Sequence, residues 1–270
     1  MKNILEAPFM IEMKRITENM YRLGWDERNA GNISYLLTEK EAEAYLDLNV
    51  CVRTFPLSID AKALAGKTFI VTGTGKYFKN VQHEPEENLG IVRISDDGKS
   101  TRLLWGFSGG GSPTSEFSVH LMCHSARLKA NPANRIIMHA HPTNLLAMTF
   151  VHSIDEKEFT RTLWQLCIEG IVVFPEGIAV LPWMLCGTNE IAEATAKKMD
   201  EHRLVMWAQH GVFGAGNTFD EAFGLIETAE KAAETHIKTM HVPRINIPTD
   251  AQIAALAEKW NVNYRKDWLS

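Results

Sequence analysis

Arg135-Ile-Ile-Met-His-Ala-His141 is the stretch on which the reading of this chain turns. Its apolar run reads as a β-strand, and in a strand residues i and i+2 project from one face. Ile137, His139 and His141 then share a side, with Ile136, Met138 and Ala140 on the other. Two imidazoles roughly 6–7 Å apart along a strand can converge on one ion, at roughly 2.0–2.1 Å per zinc–nitrogen bond. A second apolar run, Leu204-Val-Met-Trp207, leads to His210-Gly211 and supplies a third imidazole for a three-His site with an open position. H-x-H spacings recur freely, so the pattern alone leaves open two ordinary hydrogen-bonded histidines.

The segments around this strand define the fold class. Phe9, Met10, Met13, Ile16, Met20 and Leu23 recur at helical spacing until Gly24 stops them. Ile33–Leu37 and Thr68–Val71 read as strands, and Asp97-Gly98 between two β runs is a hairpin signal. Ser115 is placed to cap a helix running to Ala130, and Thr143–Val151 and Thr188–His202 also have helical character. Gly170–Phe174 and Ile178–Leu181 read as a hairpin about Pro175-Glu-Gly177. Capping-box signatures at Thr218–Glu221 and Thr249–Gln252 open the last two helices. The expectation is an α/β chain, one domain over residues 1–270, with a central mixed, largely antiparallel sheet flanked by helices.

Composition narrows the function classes. A net charge of −5 argues against non-specific binding to nucleic acid or anionic membranes. The four cysteines are scattered with no C-x-x-C pair, the pattern of reduced thiols. No apolar run approaches 18 residues and the start carries no signal-peptide h-region, so a soluble cytoplasmic protein is expected.

Several further groups carry possible chemistry. Thr72-Gly-Thr-Gly-Lys76 fits neither the P-loop nor the dinucleotide fingerprint, which leaves a Gly-rich turn whose N–H groups could form an anion nest. Glu116 falls in the first turn of its helix, where the helix dipole favours a carboxylate. Glu116, His120 and His124 share a helical face and form a competing metal set. It ranks below the strand pair because Phe117, Leu121 and Leu128 define the buried side, with the two histidines flanking it. Glu169 has no local distinction. Trp164, Trp183 and Trp207 are expected in the core.

Together the landmarks run almost the full chain: Gly24-Trp-Asp-Glu-Arg-Asn-Ala-Gly-Asn32, Phe69–Lys76, Pro113-Thr-Ser-Glu116, Met138-His-Ala-His141, Val172–Gly177, Leu181-Pro-Trp-Met184 and His210-Gly-Val-Phe-Gly214. Their order and spacing resemble the class II aldolase and adducin family. The resemblance implies that His139, His141 and His210 hold one Zn²⁺ per subunit and that Glu116 is the catalytic acid/base. It assigns Asn29, Gly31, Asn32, Thr74, Gly75, Thr114 and Ser115 to phosphate and triose binding. Glu169 matches a second catalytic carboxylate at the aldehyde end, reaching within or across subunits. Ala30 stands where a second Gly is common, and Thr74 where Ser is common.

The implied activity is zinc-dependent retro-aldol cleavage of L-rhamnulose 1-phosphate to dihydroxyacetone phosphate and L-lactaldehyde. Fuculose-phosphate cleavage and pentulose-phosphate 4-epimerisation are the alternatives within the family, and a non-enzymatic adducin-like module the alternative outside enzymes. A phosphorylated ketose is the expected partner, and a homotetramer the expected assembly.

Overall fold

The computed structural model describes residues 2–269. Nine strands form one sheet: β1 Asn32–Leu37, β2 Arg53–Pro56, β3 Thr68–Thr72, β4 Leu89–Ile94, β5 Ser100–Gly106, β6 Ile136–Ala140, β7 Ile178–Leu181, β8 Leu204–Trp207 and β9 Gly211–Gly216. Their order is β2-β5-β4-β3-β1-β6-β9-β8-β7. Every neighbouring pair is antiparallel except β7 with β8. The mixed, largely antiparallel sheet of the sequence reading is the one that forms. Gly98, at φ 72°, turns β4 into β5 as the Asp97-Gly98 signal requires.

The longer helices are α1 Pro8–Leu23, α2 Phe117–Ala130, α3 Thr143–Val151, α4 Glu156–Leu166, α5 Asn189–Met199, α6 Phe219–Thr239 and α7 Asp250–Lys259. They cover both faces of the sheet. On β1, Ile33, Tyr35 and Leu37 enter one core with Met13 of α1 and Ile226 of α6. Leu36 points the other way, among Phe69, Val71 and the α2 residues Phe117 and Leu121. A strand packed on both sides has all six residues buried, and β1 does. The period-2 facing of β6 also holds: Ile136, Met138 and Ala140 lie in the first core, Ile137 in the opposite one.

Three local expectations are corrected. Gly170–Val173 is a single helical turn rather than a strand, and β7 pairs in parallel with β8. An apolar run of this length has no period that separates a buried turn from a buried strand. Helix α2 starts at Phe117 with Glu116 at its N-cap position and no side-chain cap, so Ser115 is not the cap. The capping box at Thr249 closes fully. At Thr218 only the hydroxyl half forms, because the Glu221 carboxylate accepts from Asn217 N and from Arg203 instead. No helix among the described residues is long and apolar enough to cross a membrane.

Candidate metal centre and active site

β1, β6 and β9 are adjacent, and their register puts Asn32, His139 and Phe213 in one row. His139 is 1% exposed, its ring stacked 4.3 Å from that of Phe213. His141 lies just past the end of β6, its N–H donating to the Trp25 carbonyl at 2.8 Å. His210 occupies the turn between β8 and β9, after Gln209 at φ 61°. The turn fits only because residue 211 is glycine. A Cβ there would lie 2.5 Å from His141 Cδ2 and 2.6 Å from the Ala140 carbonyl.

The three imidazoles bring ligand nitrogens within 4.8 Å of one another, and among the described residues no other trio of potential ligands does so. The outer nitrogens of two of them are held from behind. His139 Nδ1 donates to the Val212 carbonyl at 3.2 Å, and His141 Nδ1 to the Glu27 carboxylate at 2.8 Å. With Nδ1 protonated, a neutral ring turns a bare Nε2 inward, and these two Nε2 atoms lie 3.2 Å apart. Facing lone pairs cannot bond each other, whereas a cation between them satisfies both. Burial holds His139 well below its ordinary range and His210 down at about 4, which favours the neutral ligand form. The donor set therefore fits a divalent ion.

Glu116 is nearly buried at 8% exposure, and its carboxylate lies beside this cluster. Oε2 is 3.6 Å from His139 Nε2 and Oε1 is 4.0 Å from His210 Nε2. Burial pushes its pKa up, opposed by the Asn32 amide, which donates to Oε2 at 2.9 Å, and by His141 nearby. Because α2 starts late, Thr114-Ser115-Glu116 forms a turn against the cleft, closed by the Phe117 N–H donating to the Thr114 carbonyl at 3.0 Å.

Two loops complete the cleft. Thr74 N donates to the Ser112 carbonyl and Thr114 N to the Thr72 carbonyl, both at 3.0 Å, stitching the Gly-rich turn to the segment before α2. Gly31 and Gly75 sit at φ 71° and 67°. At Gly31 a Cβ would also come within 3.1 Å of the His139 carbonyl. Asn29, Gly31, Asn32, Thr74, Gly75, Thr114, Ser115 and Glu116 line this cleft with the three histidines, and its lining contains no lysine or arginine.

Of the residues expected there, Glu169 alone is elsewhere, exposed at the start of the Gly170 turn. The competing metal set does not assemble. His120 and His124 are fully buried rather than flanking, and both contact Ser34. Trp164 and Trp207 are core residues, but Trp183 is 67% exposed. Sequence reasoning misses Glu27 as the partner of His141, although it belongs to the Gly24–Asn32 stretch. Asp26 beside it is 3% exposed and is pushed up to about 7 by burial and by the Glu27 charge.

The class II aldolase and adducin N-terminal domain matches residues 11–237. A rhamnulose-1-phosphate aldolase of Listeria monocytogenes is 55% identical over 270 residues, covering 100% of this chain and 99% of its own. One from Escherichia fergusonii is 45% identical, covering 97% of each. The crystal structure of a Thermotoga maritima sugar-phosphate aldolase superposes with a TM-score of 0.76 at 28% identity, over 88% of this chain and 97% of that one. On the strength of the domain match and of these full-length relatives, the chain belongs to the class II aldolase and adducin family.

Proposed function

We propose that this protein cleaves L-rhamnulose 1-phosphate to dihydroxyacetone phosphate and L-lactaldehyde. The observation that carries the reading is the converging three-imidazole cluster with a buried carboxylate 3.6 and 4.0 Å from two of its rings. The substrate is taken from the full-length relatives. His139, His141 and His210 would hold the ion, one Zn²⁺ per subunit; when bound, it supplies Lewis-acid polarisation of the substrate's C2 carbonyl and neighbouring hydroxyl.

The chain's own residues account for the rest. Cleavage takes the proton from the C4 hydroxyl as the aldehyde forms, sends the C3–C4 electron pair into the triose, and ends with a proton added at C3; Glu116 would be the acid/base that moves the proton at C3. Asn29, Gly31, Asn32, Thr74, Gly75, Thr114 and Ser115 would anchor the phosphate and triose through N–H and hydroxyl groups. Held at its non-reacting end, the substrate keeps its scissile bond in register with Glu116.

Glu169 lies away from this chain's cleft, which fits a role across a subunit boundary. Phe150, Trp183 and Leu185, each more than 60% exposed, support burial between subunits of a homotetramer. We take the whole chain as one domain, working in the cytoplasm. The test is turnover of rhamnulose, fuculose and ribulose phosphates with and without chelator, read as dihydroxyacetone phosphate release for cleavage and as a change of sugar stereochemistry for 4-epimerisation. Chelator-sensitive turnover highest on L-rhamnulose 1-phosphate is expected; equal or greater turnover on another sugar phosphate would reassign the substrate.

A further inference from the structure

Behind Glu116 runs a line of polar side chains of which the proposed reaction uses only Asn32. Asn32 Nδ2 donates to Glu116 Oε2, and Asn32 Oδ1 is hydrogen-bonded to His120 Nε2. His120 Nδ1 is 2.7 Å from Ser34 Oγ, which is 2.8 Å from His124 Nε2. Ser34, His120 and His124 are completely buried between β1 and α2. The line stops at His124, whose Nδ1 is buried with no hydrogen-bond partner.

Burial lowers His120 to about 3 and His124 well below the ordinary histidine range, so both rings are neutral. A neutral ring has one donor and one acceptor, and Ser34 one O–H, which would be left buried without an acceptor if both rings donated to it; with that O–H spent on a ring, the line can run in only two directions. In the first, His124 Nε2–H donates to Ser34, Ser34 to His120 Nδ1, and His120 Nε2–H to Asn32 Oδ1. The Asn32 amide N–H then faces Glu116, and His124 Nδ1 is left as a bare lone pair. In the second, every bond reverses. Asn32 would turn its carbonyl oxygen toward Glu116, and His124 would carry an N–H with no acceptor. A buried orphan N–H is rarer and more costly than an under-used acceptor.

We infer that the dead end at His124 sets the direction of this line and so holds Asn32 with its amide N–H on Glu116, presenting that side chain to the cleft as a hydrogen-bond-accepting carboxylate. Ser34, His120 and His124 are then positioning residues, with His124 acting from four hydrogen bonds away. The kinetic consequence rests on the proposed role of Glu116; the direction of the line does not.

Nitrogen-15 NMR of the full-length, metal-loaded protein labelled at histidine reads that direction without activity. His120→Gln and His124→Gln identify the two rings by loss of their signals. Both should be neutral Nε2–H tautomers. An Nδ1–H tautomer at His124 overturns the inference, whatever the protein's activity.

Kinetics test the consequence. His124→Leu should lower kcat about 3- to 10-fold, the rate equivalent of one net hydrogen bond, with KM and bound metal unchanged. His124→Gln, whose amide N–H can still donate to Ser34, should recover most of the loss. No loss in His124→Leu, or equal losses in both variants, overturns the positioning role. Should His124→Leu fail to fold, Ser34→Ala gives the same reading: His120 should lose its exclusive Nε2–H form and kcat should fall, and an unchanged tautomer overturns the role. Inactivity of the wild type on every ketose phosphate would sink the proposed function while leaving the tautomer result standing.

Discussion

At His139 the ring is placed by strand register, locked by Val212 from behind and packed flat on Phe213, so its free nitrogen has one direction to point. Replacing His139, His141 or His210 with alanine should each cause a large loss of bound divalent metal, measured by elemental analysis of the purified variant. Metal at wild-type stoichiometry in all three would remove the site. Glu116→Gln keeps the shape and drops the charge. It should retain metal and lose turnover by on the order of 10²-fold or more; full turnover would pass the role to another group.

Asp26 tests electrostatics apart from the proposed chemistry. Its folded pKa, about 7, is raised above the ordinary carboxylate value, so the folded state binds the proton more tightly than the unfolded chain. That contribution to stability is fully present below about pH 4 and is lost as pH rises through 7. Asp26→Asn should therefore gain on the wild type between pH 4 and 7, by on the order of a few kcal/mol, and hold its lead above that. Denaturant midpoints measured across this range check it; a constant difference would place the Asp26 proton elsewhere.

Among the elements, the Gly-rich turn after β3 is the informative one. A Cβ at Gly75 would meet nothing within 4 Å, but the backbone there is left-handed at φ 67°. A β-branched residue is strained by that backbone itself, whatever the space around it. Gly75→Val should raise KM for the sugar phosphate strongly while leaving metal bound. Lys76→Met should matter less, since Lys76 is not among the residues lining the cleft. The reverse ranking in steady-state kinetics would replace an oriented N–H nest with a point-charge site. The turn itself is legible in the sequence, because Gly73 and Gly75 directly after an apolar run mark the end of a strand. The late start of α2 is not: Ser115 has the composition of a cap, but residues 114–116 are drawn to the cleft by contacts to β1 and β3.

The whole molecule joins these parts through one sheet, in which β1, β6 and β9 meet although they are far apart in the chain. The family resemblance implies a homotetramer, and exposed apolar side chains such as Phe150, Trp183 and Leu185 favour association. Light scattering at micromolar concentration should give about four times the 30.4 kDa subunit mass, and a fully active monomer would rule it out. The sequence by itself determined the largely antiparallel α/β architecture and the facing of β6, since periodicity and residue type report local burial; it singled out the three histidines only through the order and spacing of motifs along the whole chain. Tertiary structure alone decided that Gly170–Val173 coils, that His120 and His124 are sealed against Ser34, that Glu27 backs His141, and that Glu169 stands outside this chain's cleft. Those outcomes depend on which strands and loops become neighbours across the sheet, and contacts between residues distant in the chain leave no local periodicity to read.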